Sequence, residues 1–278
     1  MRAPRLVASD VDGTLLAADG HPGARLLAVL DRMRDADVPL VLATGRPPRW
    51  ILPVCDALGE RGLCVAANGA VLWDAGTDRV LEAAEFDTDT LREVIERLRV
   101  ALPGAGLAVE RVPRPGVAEY CSAPGFEHAW PNSDHVVVPA DELTALPAMK
   151  VLARRPGLSS DAMAAAVRDG LGELVDVTFS ASGGLVECSV LGVTKAYGLA
   201  QAAAHLGVAA EEVVAFGDMP NDLEMLRWAG HGVAMGNAHP ELAAAADEVT
   251  AHHDEDGVAL VLERWFSSPA PIRPAPAR

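Results

Sequence analysis

Two aspartates separated by one valine, Asp10 and Asp12, follow the apolar run Leu6-Val7-Ala8-Ser9 and precede Gly13-Thr14. Carboxylates this close in a tight loop can meet one metal ion and one phosphorus centre, one attacking while the other handles a leaving-group proton. A hard cation with oxygen ligands, Mg2+, suits such a pair. The competing reading is a solvated turn in which Asp and Thr cap a helix.

Such groups act only if rigid elements hold them at one edge. The spacing predicts a strand ending at Asp10 and a helix over 22–35, with Leu26, Leu27, Leu30 and Met33 on one face. Further buried strands are predicted over 39–43, ending at Thr44-Gly45-Arg46, and over 63–67, ending at Asn68-Gly69. From Glu82 the pattern changes: a helical repeat through Leu91, Val94, Ile95, Leu98 and Leu102 leads into a region broken by Pro113, Pro115, Pro124, Pro131 and Pro139. A strand over 149–153, a helix over 160–171 and strands over 176–182 and 185–190 follow. The earlier pattern then returns, with a helix over 195–206, a strand over 213–216 ending at Gly217-Asp218, a helix over 221–229 and a strand over 232–235.

Repeated strands with polar residues at their carboxyl ends are the layout of an open, doubly wound parallel sheet that binds ligands off those ends. The expected class is α/β: a discontinuous parallel-sheet core over 1–82 and 190–267, interrupted by an α+β domain over 83–189. The tail over 268–278, alternating Pro with small residues, is expected to stay extended or disordered.

Composition narrows the partners. The chain has 278 residues, half of them apolar, and 39 acidic against 23 basic residues, a formal charge of −16. That field repels nucleic acid and anionic membrane surfaces, yet a few local cations and a metal can still hold a small phosphate ester. Cys55, Cys64, Cys121 and Cys188 form no Cys-x-x-Cys pair and suit buried thiols of a reducing cytoplasm. No apolar run reaches membrane-spanning length, and the first is interrupted by Asp10 and Asp12 before a signal-peptide core develops.

Asp10-Val-Asp-Gly-Thr-Leu15 resembles the first motif of the haloacid dehalogenase-like hydrolases. Thr44-Gly45-Arg46 resembles the second, Lys195 within Gly192-Val-Thr-Lys-Ala196 the third, and Gly217-Asp-Met-Pro-Asn-Asp222 the fourth, in the family's order. The long insert between the second and third, with Ala67-Asn-Gly-Ala70, Ala234-Met-Gly-Asn-Ala238 and Asp254-Glu-Asp-Gly257, is similar to the Cof-type sugar-phosphatase branch. The resemblance implies a Rossmann-like core with a C2-type cap and a site between the two.

It also implies roles. Asp10 would attack phosphorus and form an aspartyl-phosphate, and Asp12 would protonate the departing alkoxide and later activate water. Thr44, by hydroxyl and backbone N–H, with Gly45, Lys195 and Asn221, would hold the phosphoryl group. Mg2+ would sit on Asp10, the backbone carbonyl of Asp12 and Asp218, with Asp222 supporting Lys195 or the metal's waters. Each has an ordinary alternative: Thr44-Gly45 as a strand-to-helix turn, Lys195 as a surface lysine, Asp218 and Asp222 as helix caps.

Arg46 is open between the substrate phosphate and a core acid, and Asn68 between substrate binding and a left-handed turn before Gly69. Asn237 and Asp254 border the site or serve turns. His252-His253 reads as solvated rather than as a second metal site. Tyr120, His128, Trp130, Arg114 and Arg154 are candidates for a substrate-facing surface of the insert, with packing the better account of the aromatics. The expected activity is hydrolysis of a small phosphorylated metabolite, with a phosphotransferase or mutase, and then a non-catalytic phosphometabolite sensor, as rivals.

Overall fold

Strands covered on both faces read as unbroken apolar runs, because each alternate residue meets a different helical layer. Strands β1 (Leu6–Ser9), β2 (Leu40–Ala43) and β3 (Leu63–Ala66) are of this kind. Val7, Leu40 and Leu42 pack into one core, and Leu6, Ala8, Val41 and Ala43 into another on the opposite face. The computed structural model describes residues 2–128, 134–180 and 183–267. Trp130, Pro131 and the Pro-rich tail lie outside these residues.

A hairpin extends this sheet, with β4 (Val71–Asp74) antiparallel to β3 and β5 (Arg79–Ala83) antiparallel to β4. The insert adds β6 (Gly106–Glu110), β7 (Tyr120–Ser122), β8 (Val136–Val137), β9 (Lys150–Arg154), β10 (Val175–Thr178) and β11 (Leu185–Val190). The chain then returns with β12 (Val213–Gly217), β13 (His231–Ala234) and β14 (Glu248–Val249). The helices are α1 (Ala24–Asp35), α2 (Leu52–Leu58), α3 (Thr88–Ala101), α4 (Ser160–Leu171), α5 (Lys195–Leu206), α6 (Leu223–Trp228), α7 (Pro240–Ala245) and α8 (Gly257–Leu262).

The first sheet has the order β14-β13-β12-β1-β2-β3-β4-β5, parallel from β14 through β3. The doubly wound expectation holds, with an antiparallel edge added. From β1 the chain winds outward to β3, and after the insert it resumes at β12 on the other side of β1. The crevice between the carboxyl ends of β1 and β12 is therefore the switch point where such sheets bind ligands.

The second sheet, β10-β11-β9-β6-β7-β8, is antiparallel except for its β7–β8 edge pair. Helix α3 starts at Asp87, whose carboxylate accepts from the N–H groups of Asp89 and Thr90, and buries Leu91, Val94, Ile95 and Leu98. With α4 it covers one face of the sheet. The alternation of β9 sends Val151 and Ala153 to those helices and Leu152 to the other face, which looks toward the first sheet. The strand expected over 176–182 ends at Thr178, where pairing with β11 stops. Strands β6, β7 and β8 fill the Pro-interrupted region left without elements. No helix among the described residues is long and apolar enough to cross a membrane.

Candidate active site

Asp10 leaves β1 with its N–H still donated to the Phe216 carbonyl at 3.0 Å, which sets it beside the end of β12 and hence near Asp218. Lys195 opens α5, where Thr194 Oγ1 accepts from the Tyr197 N–H. Its ammonium lies 2.6 Å from Asp10 Oδ1 and 2.6 Å from Asp222 Oδ1, fully inside the protein. Asp222 Oδ2 accepts from the N–H groups of Asp218 (2.9 Å) and Met219 (3.0 Å). Of the roles open to Asp222, the structure displays support of Lys195. Asp10 Oδ2 has no hydrogen-bond donor among the described residues.

Asp218 is held by Thr14 Oγ1 (3.2 Å) and Asn237 Nδ2 (3.3 Å), and Asn237 also donates to the Gly13 carbonyl. The turn between the two aspartates and Thr14 requires a glycine. Gly13 has φ +75°, and a Cβ there would stand 2.4 Å from Asp218 Oδ2. Gly13→Ala is expected to destabilise the protein by about 1–3 kcal/mol through backbone strain and displacement of Asp218. Urea denaturation measures it, and a shift below 0.5 kcal/mol, about the scatter of neutral surface changes, would refute the packing argument.

The carboxylates of Asp10, Asp218 and Asp222 offer oxygens within 4.8 Å of one another, an arrangement that could hold a metal ion. Burial raises Asp10 well above the usual carboxylate range, and Asp222, Asp218 and Asp12 raise it further, against the opposing Lys195 charge. Asp218 is pushed up to about 7, chiefly by burial and then by Asp222. Burial disfavours the Lys195 ammonium, but Asp10 and Asp222 more than offset this and keep it charged. Four carboxylates, those of Asp10, Asp12, Asp218 and Asp222, thus face two cations, Lys195 and Arg46. With all four ionised, the excess of two negative charges on hard oxygen donors would suit a divalent cation such as Mg2+, and the raised Asp10 and Asp218 show that the site's own residues lack that positive charge.

Arg46 answers the question its sequence left open. Its Nε and Nη2 grip both oxygens of Asp12 at 2.8 and 2.5 Å, so it pairs with a core acid instead of standing free for substrate. The Thr44 N–H expected to bind phosphate is instead donated to the Val65 carbonyl at 2.9 Å, because Thr44 continues the β2–β3 ladder. Its hydroxyl oxygen accepts from the Arg46 N–H at 3.1 Å and keeps its own proton to give. The neighbouring Gly45 N–H has no acceptor among the described residues.

Of the two roles open to Asn68, the structure displays the left-handed turn. It adopts φ +57°, just before Gly69, where a Cβ would collide with the Thr194 carbonyl at 1.9 Å. Its side chain accepts from Asn221 Nδ2 (3.1 Å) and donates to Glu187 Oε2 (3.0 Å). Asn221 Oδ1 is buried without a partner.

Asp10, Asp12, Thr44, Gly45, Arg46 and Asn221 line a cavity of about 420 Å3 whose other wall comes from the insert. That wall holds Glu110, Lys150, Ser180 and Glu187, with Arg49 and Trp50 at the side. None of these six was singled out from sequence. The available signal was a charge in an apolar strand, Lys150 before Val-Leu-Ala and Glu187 between Val186 and Cys188.

Several insert candidates lie elsewhere. Arg114 pairs with Glu85, and Arg154 donates to the Gly183 carbonyl. Tyr120 is buried edge-on against Trp50 and Phe126. His128 packs against Tyr120 and His135 and does not line the cavity. His253 is not solvated as expected: its Nδ1 is 2.8 Å from the Leu16 carbonyl, while Asp254 accepts from the Ala18 N–H. These contacts fasten the loop that follows Thr14. The four cysteines are free and buried.

A model of the haloacid dehalogenase-like hydrolase family matches residues 7–262. The chain is 31% identical over 277 residues to a protein named HMP-PP phosphatase from Serratia proteamaculans (strain 568), covering 95% of this chain and 96% of that one. It is 30% identical to an HMP-PP phosphatase from Enterobacter sp. (strain 638), covering 95% and 97%. A solved haloacid dehalogenase-like hydrolase from Bacteroides thetaiotaomicron superposes with a TM-score of 0.71 at 26% identity, covering 95% of this chain and 99% of that one.

Proposed function

The chain belongs to the haloacid dehalogenase-like hydrolases and is a phosphatase, and from that premise we propose that it hydrolyses a small phosphomonoester through an aspartyl-phosphate on Asp10, with Mg2+ bound. The observation that carries this reading is Asp10 itself: one oxygen is fixed by Lys195, the other has no donor among the described residues, and the residue lines the cavity.

In the first half-reaction Asp10 Oδ2 attacks phosphorus, the bond to the leaving oxygen breaks, and Asp12 gives that oxygen a proton. In the second, Asp12 takes a proton from water, the water oxygen bonds to phosphorus, and the Asp10–phosphorus bond breaks. Lys195, the Thr44 hydroxyl and the Gly45 N–H stabilise charge on the phosphoryl oxygens. Arg46 holds Asp12 at the cavity and has phosphoryl oxygens as an alternative partner once substrate enters. Asp10 and Asp218, with the Asp12 carbonyl, would hold Mg2+, which neutralises the repulsion between carboxylate and phosphate. The residues over 83–189 act as the cap and those over 1–82 and 190–267 as the core. The substrate is a small phosphorylated metabolite, and the first compounds to try are sugar phosphates and HMP-PP, the compound in the names of two relatives.

The decisive experiment is a phosphate-release screen over sugar phosphates, HMP-PP, nucleotides and p-nitrophenyl phosphate, with and without EDTA. Mg2+-dependent release of free phosphate without an added acceptor is the expected result. Release that requires an alcohol acceptor would favour phosphotransfer, and no turnover of any compound would overturn the reading.

The raised carboxyl groups add a pH signature. In the metal-free protein Asp218 binds its proton more tightly folded than unfolded, so its contribution to stability falls as pH rises from about 4 to about 7. Asp218 would have to give up that proton to hold Mg2+. Its affinity is expected to weaken as pH drops below 7, by up to about tenfold per unit for one proton displaced. Calorimetric titration at pH 5.5, 6.5 and 7.5 measures this, and a pH-independent dissociation constant would contradict it.

A further inference from the structure

The face of the insert sheet turned away from α3 and α4 carries three buried charged residues, among the described residues, that the proposed chemistry does not use. Two-residue alternation puts Glu110, Lys150 and Glu187 on that face, and strand register pairs Glu110 with Lys150 directly. Each is only 2% exposed. Lys150 Nζ is 2.9 Å from Glu187 Oε2, 2.9 Å from Glu110 Oε2 and 2.9 Å from the carbonyl oxygen of Gly45, which belongs to the other sheet. Glu187 Oε2 also accepts from Asn68, which in turn accepts from Asn221.

We infer that Lys150 and Glu187 are positioning residues that align the core's phosphoryl-binding groups from the insert side. Lys150 sets the peptide group of Gly45, and Glu187 sets the Asn68–Asn221 pair.

A buried ion pair in otherwise apolar strands is a weak source of stability, because desolvating the charges offsets most of their attraction. Stability alone therefore gives a poor account of these residues. Burial opposes ionisation of both. Glu110 and Glu187 nevertheless raise Lys150, and Lys150 lowers Glu187, so the pair remains charged.

Nor is Lys150 arranged to grip a leaving group. Three oxygens already surround its ammonium at 2.9 Å: it donates hydrogen bonds to those of Glu187 and Gly45 and is ion-paired with that of Glu110.

Its effect falls instead on the second of two successive peptide groups, both of them held. The Asn68 N–H holds the Thr44 carbonyl at 3.0 Å, and Lys150 holds the Gly45 carbonyl. In a trans peptide N–H and C=O point oppositely, so the grip on the Thr44 carbonyl aims the unpartnered Gly45 N–H away from Asn68. With the next carbonyl also held, that donor cannot turn freely. The alignment exists only while the insert is seated on the core.

The inference rests on the proposed phosphatase reading, and the test separates the two. Wild type, Lys150→Met and Glu187→Gln would be compared for KM and kcat on p-nitrophenyl phosphate and on the best panel substrate. Inhibition by inorganic phosphate and Mg2+ affinity complete the set. A donor misplaced by an ångström costs about 10²-fold. Each variant is therefore expected to weaken phosphate inhibition and kcat/KM by roughly 10- to 100-fold. The factor should be the same for both substrates, with Mg2+ affinity unchanged.

A loss confined to one substrate would make Lys150 or Glu187 a specificity residue and overturn the inference. So would kinetics matching wild type alongside a lowered Tm. If Lys150→Met does not fold, Glu187→Gln, nearly isosteric, carries the same test. If wild type releases no phosphate from any compound, it is the phosphatase reading that fails.

Discussion

Asp10→Asn is expected to lower kcat for p-nitrophenyl phosphate by about 10⁴-fold or more, the order seen when a covalent hydrolase loses its nucleophile. That corresponds to at least ~5 kcal/mol of transition-state stabilisation at 1.36 kcal/mol per tenfold. The amide matches the carboxylate in shape and can still accept from Lys195, so the fold is kept while the attacking anion is lost. Without Mg2+ the variant should melt no lower than wild type. Burial and three neighbouring carboxylates already oppose the Asp10 charge, so removing it relieves repulsion. Turnover above about a tenth of wild type, far from the expected 10⁴-fold loss, would exclude Asp10 as nucleophile.

The second large effect is Lys195→Met, which keeps much of the side-chain volume and deletes the only cation within 2.6 Å of Asp10 and Asp222 among the described residues. Breaking a fully buried pair typically costs about 3–5 kcal/mol, because the partner charge is left without compensation. Two partners are stranded here, so the upper part of that range is expected from urea denaturation. Phosphatase activity should fall with it, since the phosphoryl oxygens lose their buried cation. Adding Asp10→Asn to Lys195→Met should restore part of the stability, because the two residues share one interaction and their effects cannot add. Strict additivity of the two stability changes would mean that Lys195 acts elsewhere.

These effects depend on residues far apart in the chain, and that separation marks where sequence reasoning worked. Helices α4 and α5 match the expected spans residue for residue, because Ser159 and Thr194 cap their first turns and an apolar stripe runs through each. Strands β7 and β8, of three and two residues, carry no period long enough to detect and exist only by pairing with their neighbours. Tertiary context likewise shortened the strand after Val175.

The sequence by itself determined the parallel core and the polar groups at its strand ends, since a buried strand ends where its apolar run ends. Asp10, Thr44 and Asp218 could be named on that basis with their motifs, and Lys195 on its motif at the start of a helix. Only the tertiary structure decided their partners. Arg46 went to Asp12, 34 residues away, and Lys195 to Asp10 across 185 residues. The Thr44 N–H went to the sheet, and Lys150 reached across to Gly45 from the insert. The physical reason is that spacing along one strand or helix fixes which face a side chain occupies, whereas an ion pair or hydrogen bond between segments depends on how those faces are brought together.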